Sequence, residues 1–178
     1  MHTFQKKDKT VLTMNPFDKI GKQWMLITSG DEDKANTMTA SWGGVGVLWG
    51  SDVVYIFVRQ SRYTKEFIDK TGHFSISFLG EEYRKALQHL GTVSGRDGDK
   101  ISEAGVSVAY ENGIPYIDEA ELVLTCTALS ATDITMDQML DAEIEPKWYA
   151  DGDLHTMYVG KIEEILVPVS YTHLTLPT

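Results

Sequence analysis

Arginine is scarce in this chain and is concentrated in two short segments. Three of the four arginines lie in RQSRYT at 59–64 and SGRDGDK at 94–100, and each segment leads into a predicted helix. A cation at a helix N-terminus is disfavoured by about 0.3–1 kcal/mol, so this placement makes better sense if an anion binds there. Helix N–H groups flanked by arginine and hydroxyl side chains form a natural phosphate site. The candidate residues of such a site are Arg62, Lys100, Ser61, Thr64, Ser94 and Gly95.

A structural interpretation is equally consistent with the spacing. In that case Arg59, Arg62 and Arg96 pair with some of the 26 acidic residues. Ser61 and Asp99 are then ordinary helix N-caps, a position at which both residue types are common. The two segments by themselves leave both interpretations open.

A third segment, NTMTASWGG at 36–44, alternates as a strand does. Such a strand, followed by two glycines, suits a flat polar ligand that lies against exposed backbone. The commoner explanation of the same pattern is an edge strand whose Thr and Ser face contacts water. The hydroxyl face comprises Thr37, Thr39 and Ser41, and the apolar face comprises Met38, Ala40 and Trp42.

The elements that must position these segments are mainly strands. Runs rich in β-branched and aromatic residues predict strands at 23–28, 53–58, 74–78, 120–129 and 157–167. Apolar residues at helical spacing, or a capping residue, with a glycine at the end, predict helices at 62–72, 81–91 and 99–105. A strand-rich order with a few inserted helices favours a small barrel or sandwich over a doubly wound parallel sheet.

Length and charge exclude several classes of protein. The 178 residues suffice for one domain, and a net charge of −10 argues against nucleic-acid binding and a polybasic membrane role. The sequence contains no recognisable signal peptide or membrane helix, so we expect a cytoplasmic protein. The uncharged segment 169–178 differs from everything before it. We therefore expect a single domain over 1–168, followed by an atypical tail that looks appended.

Several catalytic motifs are absent from the sequence. Gly44 and Gly46 begin a dinucleotide fingerprint, but Trp49 occupies the position of its third glycine. The single cysteine, Cys126, excludes cysteine-based zinc and iron–sulfur sites and is expected to be a small core residue. The scattered histidines and the acidic stretch at 137–153 match no metal-ligand spacing. We therefore predict no metal site and interpret the acidic stretch as a solvated loop.

Four segments in a particular order identify a family. NTMTASWGG, RQSRYTKEF, FSISF and SGRDGDK resemble, in that order, the flavin reductase-like family of FMN-binding split barrels, which includes the flavoredoxins. The resemblance runs from about residue 19 to about residue 167. It implies an antiparallel split β-barrel of Greek-key type with a few inserted helices. It also implies non-covalent FMN, and a homodimer with the flavin near the subunit interface.

The resemblance assigns roles to particular residues. The segment 36–41 would line the isoalloxazine ring and the ribityl chain, largely through backbone groups. The segment 59–64 would form a second wall with Arg62 toward the phosphate, and 94–100 would complete the phosphate end. In DLHTMYVG at 153–160, His155 would stand near the open flavin face, although a lone histidine is more often structural. The implied FMN ligands are Asn36, Thr37, Met38, Thr39, Ser41, Arg59, Ser61, Arg62, Tyr63, Thr64, Ser94, Gly95, Arg96, Asp97 and Lys100.

The implied function is NAD(P)H-dependent reduction of flavin, with electrons passed to free flavin, a ferric chelate or another small acceptor. Flavin chemistry explains why the chain needs neither a catalytic triad nor a metal cluster. Two alternatives stay open. One is a flavoredoxin-like FMN electron carrier without its own nicotinamide site, and the other is a non-redox barrel that binds a different phosphorylated ligand. The expected partners are a second copy of the chain and small-molecule electron donors and acceptors.

Overall fold

A computed structural model describes residues 1–169, and strands dominate its regular structure. The strands are β1 Phe4–Lys7, β2 Met25–Gly30, β3 Ala35–Ala40, β4 Gly43–Leu48, β5 Ser51–Arg59, β6 His73–Leu79, β7 Val108–Glu111, β8 Ile114–Ile117, β9 Ala120–Asp133 and β10 His155–Pro168. The helices are α1 Pro16–Asp18, which continues as a π-helical turn over Lys19–Gln23, α2 Tyr63–Thr71, α3 Arg84–Thr92, α4 Lys100–Glu103 and α5 Ile144–Trp148.

Eight of these strands form one antiparallel sheet. Its order is β3-β2-β6-β9-β10-β5-β4, and β1 pairs with the far end of β10. The two outermost strands of that order, β3 and β4, follow each other directly in the chain. Strands β7 and β8 form a separate antiparallel hairpin.

The two ends of the sheet face a common core. Side chains from β2 and β3 at one end, from β5 near the other and from β6 and β10 between them belong to one buried cluster, including Ile27, Met38, Ile56, Phe74 and Tyr158. The sheet therefore curls into the antiparallel barrel that the sequence predicted. Burial of this apolar surface is the main stabilising contribution to such a fold.

The FSISF strand, β6, is buried on both faces. Its three apolar side chains point into the barrel core, as their alternation predicted. Its serines lie on the opposite face, which β8 covers. Ser75 Oγ donates a hydrogen bond of 2.6 Å to Pro115 O, and Ile117 N donates one of 3.3 Å to Ser77 Oγ. The serines thus satisfy backbone groups of the hairpin where two apolar layers meet.

Helices α2 and α4 begin and end close to the predicted positions. Helix α2 ends at Gly72, whose φ of 71° is a left-handed conformation that favours glycine. Asp99 caps α4 as predicted, because its Oδ1 accepts a hydrogen bond of 3.2 Å from Ser102 N. Gly105, with φ 73°, follows this helix.

The helix predicted at 81–91 begins and ends later than expected, because Glu81–Tyr83 form a 3-10 turn and α3 runs from Arg84 to Thr92. Gly91 therefore lies inside the helix and is not its C-terminal stop. A Cβ atom added at Gly91 would lie 3.1 Å from Thr39 Cβ. This glycine lets α3 pack closely against β3, which brings the end of the helix to the site described below.

The remaining expectations concern the loops and the core cysteine. Cys126 is fully buried, as predicted, and this burial raises the pKa of its thiol. Most acidic side chains of the 137–153 stretch are exposed, as a solvated segment predicts, but the stretch is not all loop, because it contains α5, and Asp153 is half-buried. Residues 1–169 contain no group of three or more His, Cys, Asp or Glu placed to hold a metal ion. Across the same range, no helix is both long and apolar enough to span a membrane. The atypical tail lies outside the described residues apart from Val169.

Candidate functional site

The three segments singled out in the sequence converge on two small cavities. The cavities have volumes of about 240 Å³ and about 160 Å³ and share three lining residues, Met38, Arg59 and Arg62, so they adjoin. The first is lined by the start of α2, the end of α3 and the 94–100 loop, and the second by the end of β3 and the start of β10. The predicted residues that line them are Asn36, Met38, Thr39, Ser41, Arg59, Ser61, Arg62, Tyr63, Thr64, Ser94, Gly95, Lys100 and His155.

One buried side chain ties the three segments together. Asn36, on β3, donates a hydrogen bond of 2.8 Å from Nδ2 to Thr64 Oγ1 in the first turn of α2. Its Oδ1 faces Gly95, where an added Cβ atom would lie only 2.0 Å away. Only glycine leaves room for this amide. The arrangement of β3, α2 and the 94–100 loop therefore depends on Asn36 and Gly95.

Arg62 is a half-buried cation at the N-terminus of α2. It occupies the N-cap position, and its side chain makes no capping hydrogen bond. Nη1 donates a hydrogen bond of 2.9 Å to Gly91 O. Burial, together with the nearby Arg59 guanidinium, lowers the pKa of Arg62. Within residues 1–169 its guanidinium forms no ion pair with a carboxylate, although the charge of Asp153, which lines the same cavity, partly offsets the lowering of its pKa.

Lys100 is a second cation beside Arg62 and is more deeply buried, with only 3% of its surface exposed. Nζ donates hydrogen bonds of 2.9 Å to Leu90 O and 3.0 Å to Val93 O. Burial, and then the charge of Arg62, lower the pKa of Lys100 to about 8. The Lys100 ammonium therefore caps backbone carbonyl groups at the C-terminal end of α3, and it also lines the cavity. Two buried, neighbouring cations repel each other, and a bound anion would relieve that repulsion.

Arg96 pairs with an acidic residue, as the structural interpretation of its segment predicts, and it does not line the predicted phosphate site. Its exposed guanidinium forms an ion pair with Glu66, donates a hydrogen bond of 3.1 Å to Ser61 O and lies 4.7 Å from the centre of the Tyr63 ring. Asp97 is exposed as well and lines neither cavity. The structure therefore does not bring Arg96 or Asp97 to the two cavities.

Arg59 holds the loop that follows α5. Nη1 donates a hydrogen bond of 2.6 Å to Asp153 O, and Nη2 donates one of 3.1 Å to Trp148 O. Nη1 also lies 3.7 Å from an Asp151 carboxylate oxygen. The Arg59 guanidinium thus lines both cavities, but its hydrogen bonds go to the backbone oxygens of Trp148 and Asp153.

Only part of the predicted hydroxyl face of β3 reaches a cavity, because Thr39 and Ser41 line the second cavity and Thr37 does not. Thr37 is fully buried, and its Oγ1 lies 3.1 Å from Ile27 O and 2.9 Å from Thr28 Oγ1. Thr39 Oγ1 donates a hydrogen bond of 2.5 Å to Leu87 O. The hydroxyls of Thr37 and Thr39 therefore bond to β2 and α3 and are not directed at a ligand, contrary to the prediction, whereas Ser41 lines the second cavity as predicted. Thr37 lines neither cavity.

His155 begins β10 and lies in an aromatic environment. Its Nδ1 is 2.8 Å from Tyr149 Oη, and its ring centre is 5.1 Å from that of Trp42. Burial, and then the charge of Arg59, lower the pKa of His155 to about 4. The imidazole is therefore neutral at neutral pH and lines the second cavity as a hydrogen-bonding group, not as a cation.

Comparisons with known proteins identify the family and the fold of the chain. The family model described as "Flavin reductase like domain" matches residues 17–174. The chain belongs to this family. One relative, the uncharacterized protein YddH of Escherichia coli K12, is 32% identical over 152 residues, which are 75% of this chain and 80% of YddH.

Solved structures of the same fold include two that bear on the architecture. A flavoredoxin from Methanosarcina acetivorans superposes with a TM-score of 0.67 at 23% identity, over 88% of this chain and 74% of that one. An FMN-binding protein from Thermus thermophilus with bound p-hydroxybenzaldehyde superposes with a TM-score of 0.62 at 20% identity, over 80% and 69%. These matches establish that this flavin reductase-like chain has the fold of those proteins.

Sequence reasoning missed one acidic residue of the site in this flavin reductase-like protein. Asp153 lines the first cavity, and its Oδ1 accepts a hydrogen bond of 3.1 Å from Ser61 N. Its Oδ2 accepts a bond of 2.5 Å from Ser61 Oγ. The Asp153 carboxylate therefore accepts hydrogen bonds from both donors of Ser61, which the sequence predicted would bind a phosphate. Its position two residues before His155 was the available signal, but the acidic stretch around it predicted only a solvated loop.

Proposed function

We propose that this chain binds FMN non-covalently and is a flavin-dependent oxidoreductase of the cytoplasm. The observation that carries the proposal is a pair of cations, the half-buried Arg62 and the buried Lys100, in a cavity at the N-terminus of α2. The protein has a net charge of −10, yet no described carboxylate forms an ion pair with either cation. A phosphate group would compensate both charges. It would also accept hydrogen bonds from the backbone N–H groups at the uncapped end of the helix.

The residues present fit the rest of FMN as well. Gly95 lines the first cavity, and its lack of a side chain leaves room for the Asn36 amide that holds the 94–100 loop there. The second cavity, bordered by Met38, Ser41 and His155, would take the ring. FMN, when bound, supplies a ring nitrogen that accepts and returns hydride.

The chain's own residues would then bind and orient the ring. The backbone of β3 and the neutral His155 imidazole offer hydrogen bonds without adding a negative charge near a ring that becomes electron-rich on reduction. We propose NADH or NADPH as the electron donor, and free flavin, a ferric chelate or another small molecule as the acceptor. The basis of this part of the proposal is membership of the flavin reductase-like family.

A second candidate function is an FMN electron carrier with no nicotinamide site of its own. The structural similarity to a flavoredoxin favours it. The carrier would bind FMN at the same cations but would receive electrons from a protein partner.

Two measurements on the purified chain test these functions. We expect flavin absorption bands in the visible and near-ultraviolet, or saturable quenching of FMN fluorescence when the protein is titrated. Anaerobic mixing with NADH or NADPH should then bleach the flavin band. Failure to bleach with either donor would leave the carrier, and failure to take up FMN would favour a barrel for another phosphorylated ligand.

We also propose that the chain forms a homodimer. Strand β4 lies at an edge of the sheet order and carries exposed apolar side chains at its end, with Val47 70% exposed and Trp49 65% exposed. An unpaired, apolar edge strand is a site at which a second chain can pack. Sedimentation velocity at micromolar concentration should give the mass of two chains, and a monomer mass would contradict the proposal.

The pKa of Lys100 predicts how FMN binding depends on pH. In the flavin-free protein this pKa is lowered to about 8, so the attractive ammonium is present below pH 8 and is lost as pH rises through it. A bound phosphate would favour the charged form, so binding takes up protons at higher pH. We expect FMN affinity to fall about tenfold between pH 7 and pH 9, measured by fluorescence titration.

The matched control for this prediction is Lys100→Arg, because an arginine keeps its charge over the whole range. Its FMN affinity should vary little between pH 7 and pH 9. Lys100→Met, which removes the charge, should bind weakly at every pH. If Lys100→Arg loses affinity as steeply as the original chain, another group is responsible for the pH dependence.

A further inference from the structure

A carboxylate lies in the same cavity as the two cations of the proposed phosphate site. Asp153 lines the first cavity, and among residues 1–169 it is the one carboxylate that lines either cavity. It lies in the short segment between α5 and β10 and is half-buried. One of its oxygens accepts a hydrogen bond from the Ser61 N–H and the other accepts one from the Ser61 hydroxyl. The carboxylate is therefore directed at the start of α2.

The two Ser61 donors are of the kind that a phosphate uses. Ser61 precedes Arg62, the N-cap residue of α2, so its N–H and its hydroxyl lie near the positive end of the helix dipole. Backbone N–H groups and hydroxyls at this end of a helix commonly bind anions. A flavin phosphate that enters the first cavity must therefore share these donors with Asp153 or displace its carboxylate.

The charge of Asp153 acts on the same cations as a phosphate would. Asp153 partly offsets the lowering of the Arg62 pKa that burial and the Arg59 guanidinium cause. The carboxylate thus provides part of the compensating charge that a phosphate supplies, and it also repels a phosphate. Both effects weaken the binding of a phosphorylated ligand. Neither acts on a ligand that has no phosphate.

Backbone contacts hold the segment around Asp153 independently of its carboxylate. Arg59 Nη1 donates a hydrogen bond of 2.6 Å to Asp153 O, and Asp153 N donates one of 3.0 Å to Asp151 Oδ1. Two residues later, His155 lies opposite Arg59 in the register of β10 against β5. Because these contacts do not involve the Asp153 side chain, its charge can be removed without releasing the segment.

We propose that the Asp153 carboxylate competes with the flavin phosphate for the donors at the start of α2, and so limits the preference of the site for FMN over riboflavin. The inference rests on the proposed FMN site and adds the residue that sets its selectivity between flavins. Because the phosphate is held less strongly, bound FMN exchanges with free flavin faster than it would without the Asp153 charge.

The test compares FMN with riboflavin, which has the same ring and ribityl chain but no phosphate. Both are titrated by fluorescence into the original chain and into Asp153→Asn, which keeps an oxygen acceptor for Ser61 and removes the charge. We expect Asp153→Asn to bind FMN about tenfold more tightly and to release it more slowly, with riboflavin affinity unchanged within about twofold. The matched control is Asp151→Asn, because Asp151 is 67% exposed and lines neither cavity. It should change neither affinity by more than about twofold.

The ratio of the two flavin affinities decides the proposal. A preference for FMN that rises in Asp153→Asn and not in Asp151→Asn supports it. An unchanged preference overturns it, and so does an equal loss of both affinities, because the carboxylate would then only hold the loop in place.

Inorganic phosphate separates this proposal from the proposed function. If the original chain binds neither flavin, the proposed function fails, and the thermal unfolding midpoint of each chain is measured as phosphate is added. A rise in the midpoint at about tenfold lower phosphate concentration in Asp153→Asn than in the original chain supports competition at α2. An equal response of the two chains, or no response in either, overturns it.

Discussion

Arg62→Ala should weaken FMN binding by about 1.5–3 kcal/mol, which is the range for a hydrogen bond to a charged group. The corresponding loss of affinity is roughly 10- to 150-fold. Arg62 is half-buried at the N-terminus of α2, and no described carboxylate forms an ion pair with it, so its charge is available to a phosphate. Titration of FMN fluorescence at pH 7 measures the effect. Arg62→Lys keeps a charge but loses the planar guanidinium, so its FMN affinity should lie between that of the original chain and that of Arg62→Ala.

The matched control is Arg96→Ala, which removes the same side chain from a neighbouring segment. Arg96 is exposed, pairs with Glu66 and lines neither cavity of the site. An exposed ion pair of this kind contributes on the order of 0–1 kcal/mol to stability, and its loss should change FMN affinity less than threefold. A larger loss in Arg96→Ala than in Arg62→Ala would place the phosphate on the outer side of the 94–100 loop and contradict the site described here.

The difference between these two arginines shows what the sequence could predict about the site. Both lie in segments whose order resembles the flavin reductase-like family, and the sequence placed both at the phosphate. The structure separates them because Glu66, 30 residues before Arg96, takes that guanidinium, whereas the nearest partner of Arg62 is the backbone oxygen of Gly91. Which acid reaches which arginine depends on packing between distant segments, and no local pattern contains that information.

Strands were predictable from alternation, but the covering of their faces was not. The alternation of β6 correctly separated its apolar face from its serine face. On β3 the same rule correctly alternated the side chains but suggested that the hydroxyls face a ligand, whereas Thr39 bonds to Leu87 O on α3. Alternation defines two faces of a strand, and only the tertiary fold decides what covers each.

Asp153 is the sharpest example of a site residue that sequence reasoning could not find. Its carboxylate accepts both donors of Ser61, a residue 92 positions earlier in the chain. The register of β10 against β5, in which His155 lies opposite Arg59, brings Asp153 to this position. A carboxylate beside the two buried cations also limits how much positive charge a phosphate meets, so the affinity for FMN depends on Asp153 as well as on Arg62.

Gly95→Ala should damage both the fold and the site. The new Cβ would lie 2.0 Å from Asn36 Oδ1 and 3.2 Å from Tyr63 Cδ1, so the Asn36 amide must move and lose its hydrogen bond to Thr64. We expect a loss of roughly 1–3 kcal/mol in the free energy of unfolding, the usual cost of overpacking a tight contact. FMN affinity should fall more than tenfold, because β3, α2 and the 94–100 loop no longer meet correctly. Urea unfolding and fluorescence titration measure the two effects.

Two further variants show whether the clash with Asn36 is the cause. Gly98→Ala, in the same loop, would bring its Cβ no closer than 3.4 Å to Glu103 Oε1, so it should leave stability and FMN affinity nearly unchanged. In a chain that already carries Asn36→Ala, the amide oxygen is gone, and adding Gly95→Ala should cost much less than it does alone. An equal cost in both backgrounds would mean that Gly95 matters through its backbone or through Tyr63, and that Asn36 is not what joins the three segments.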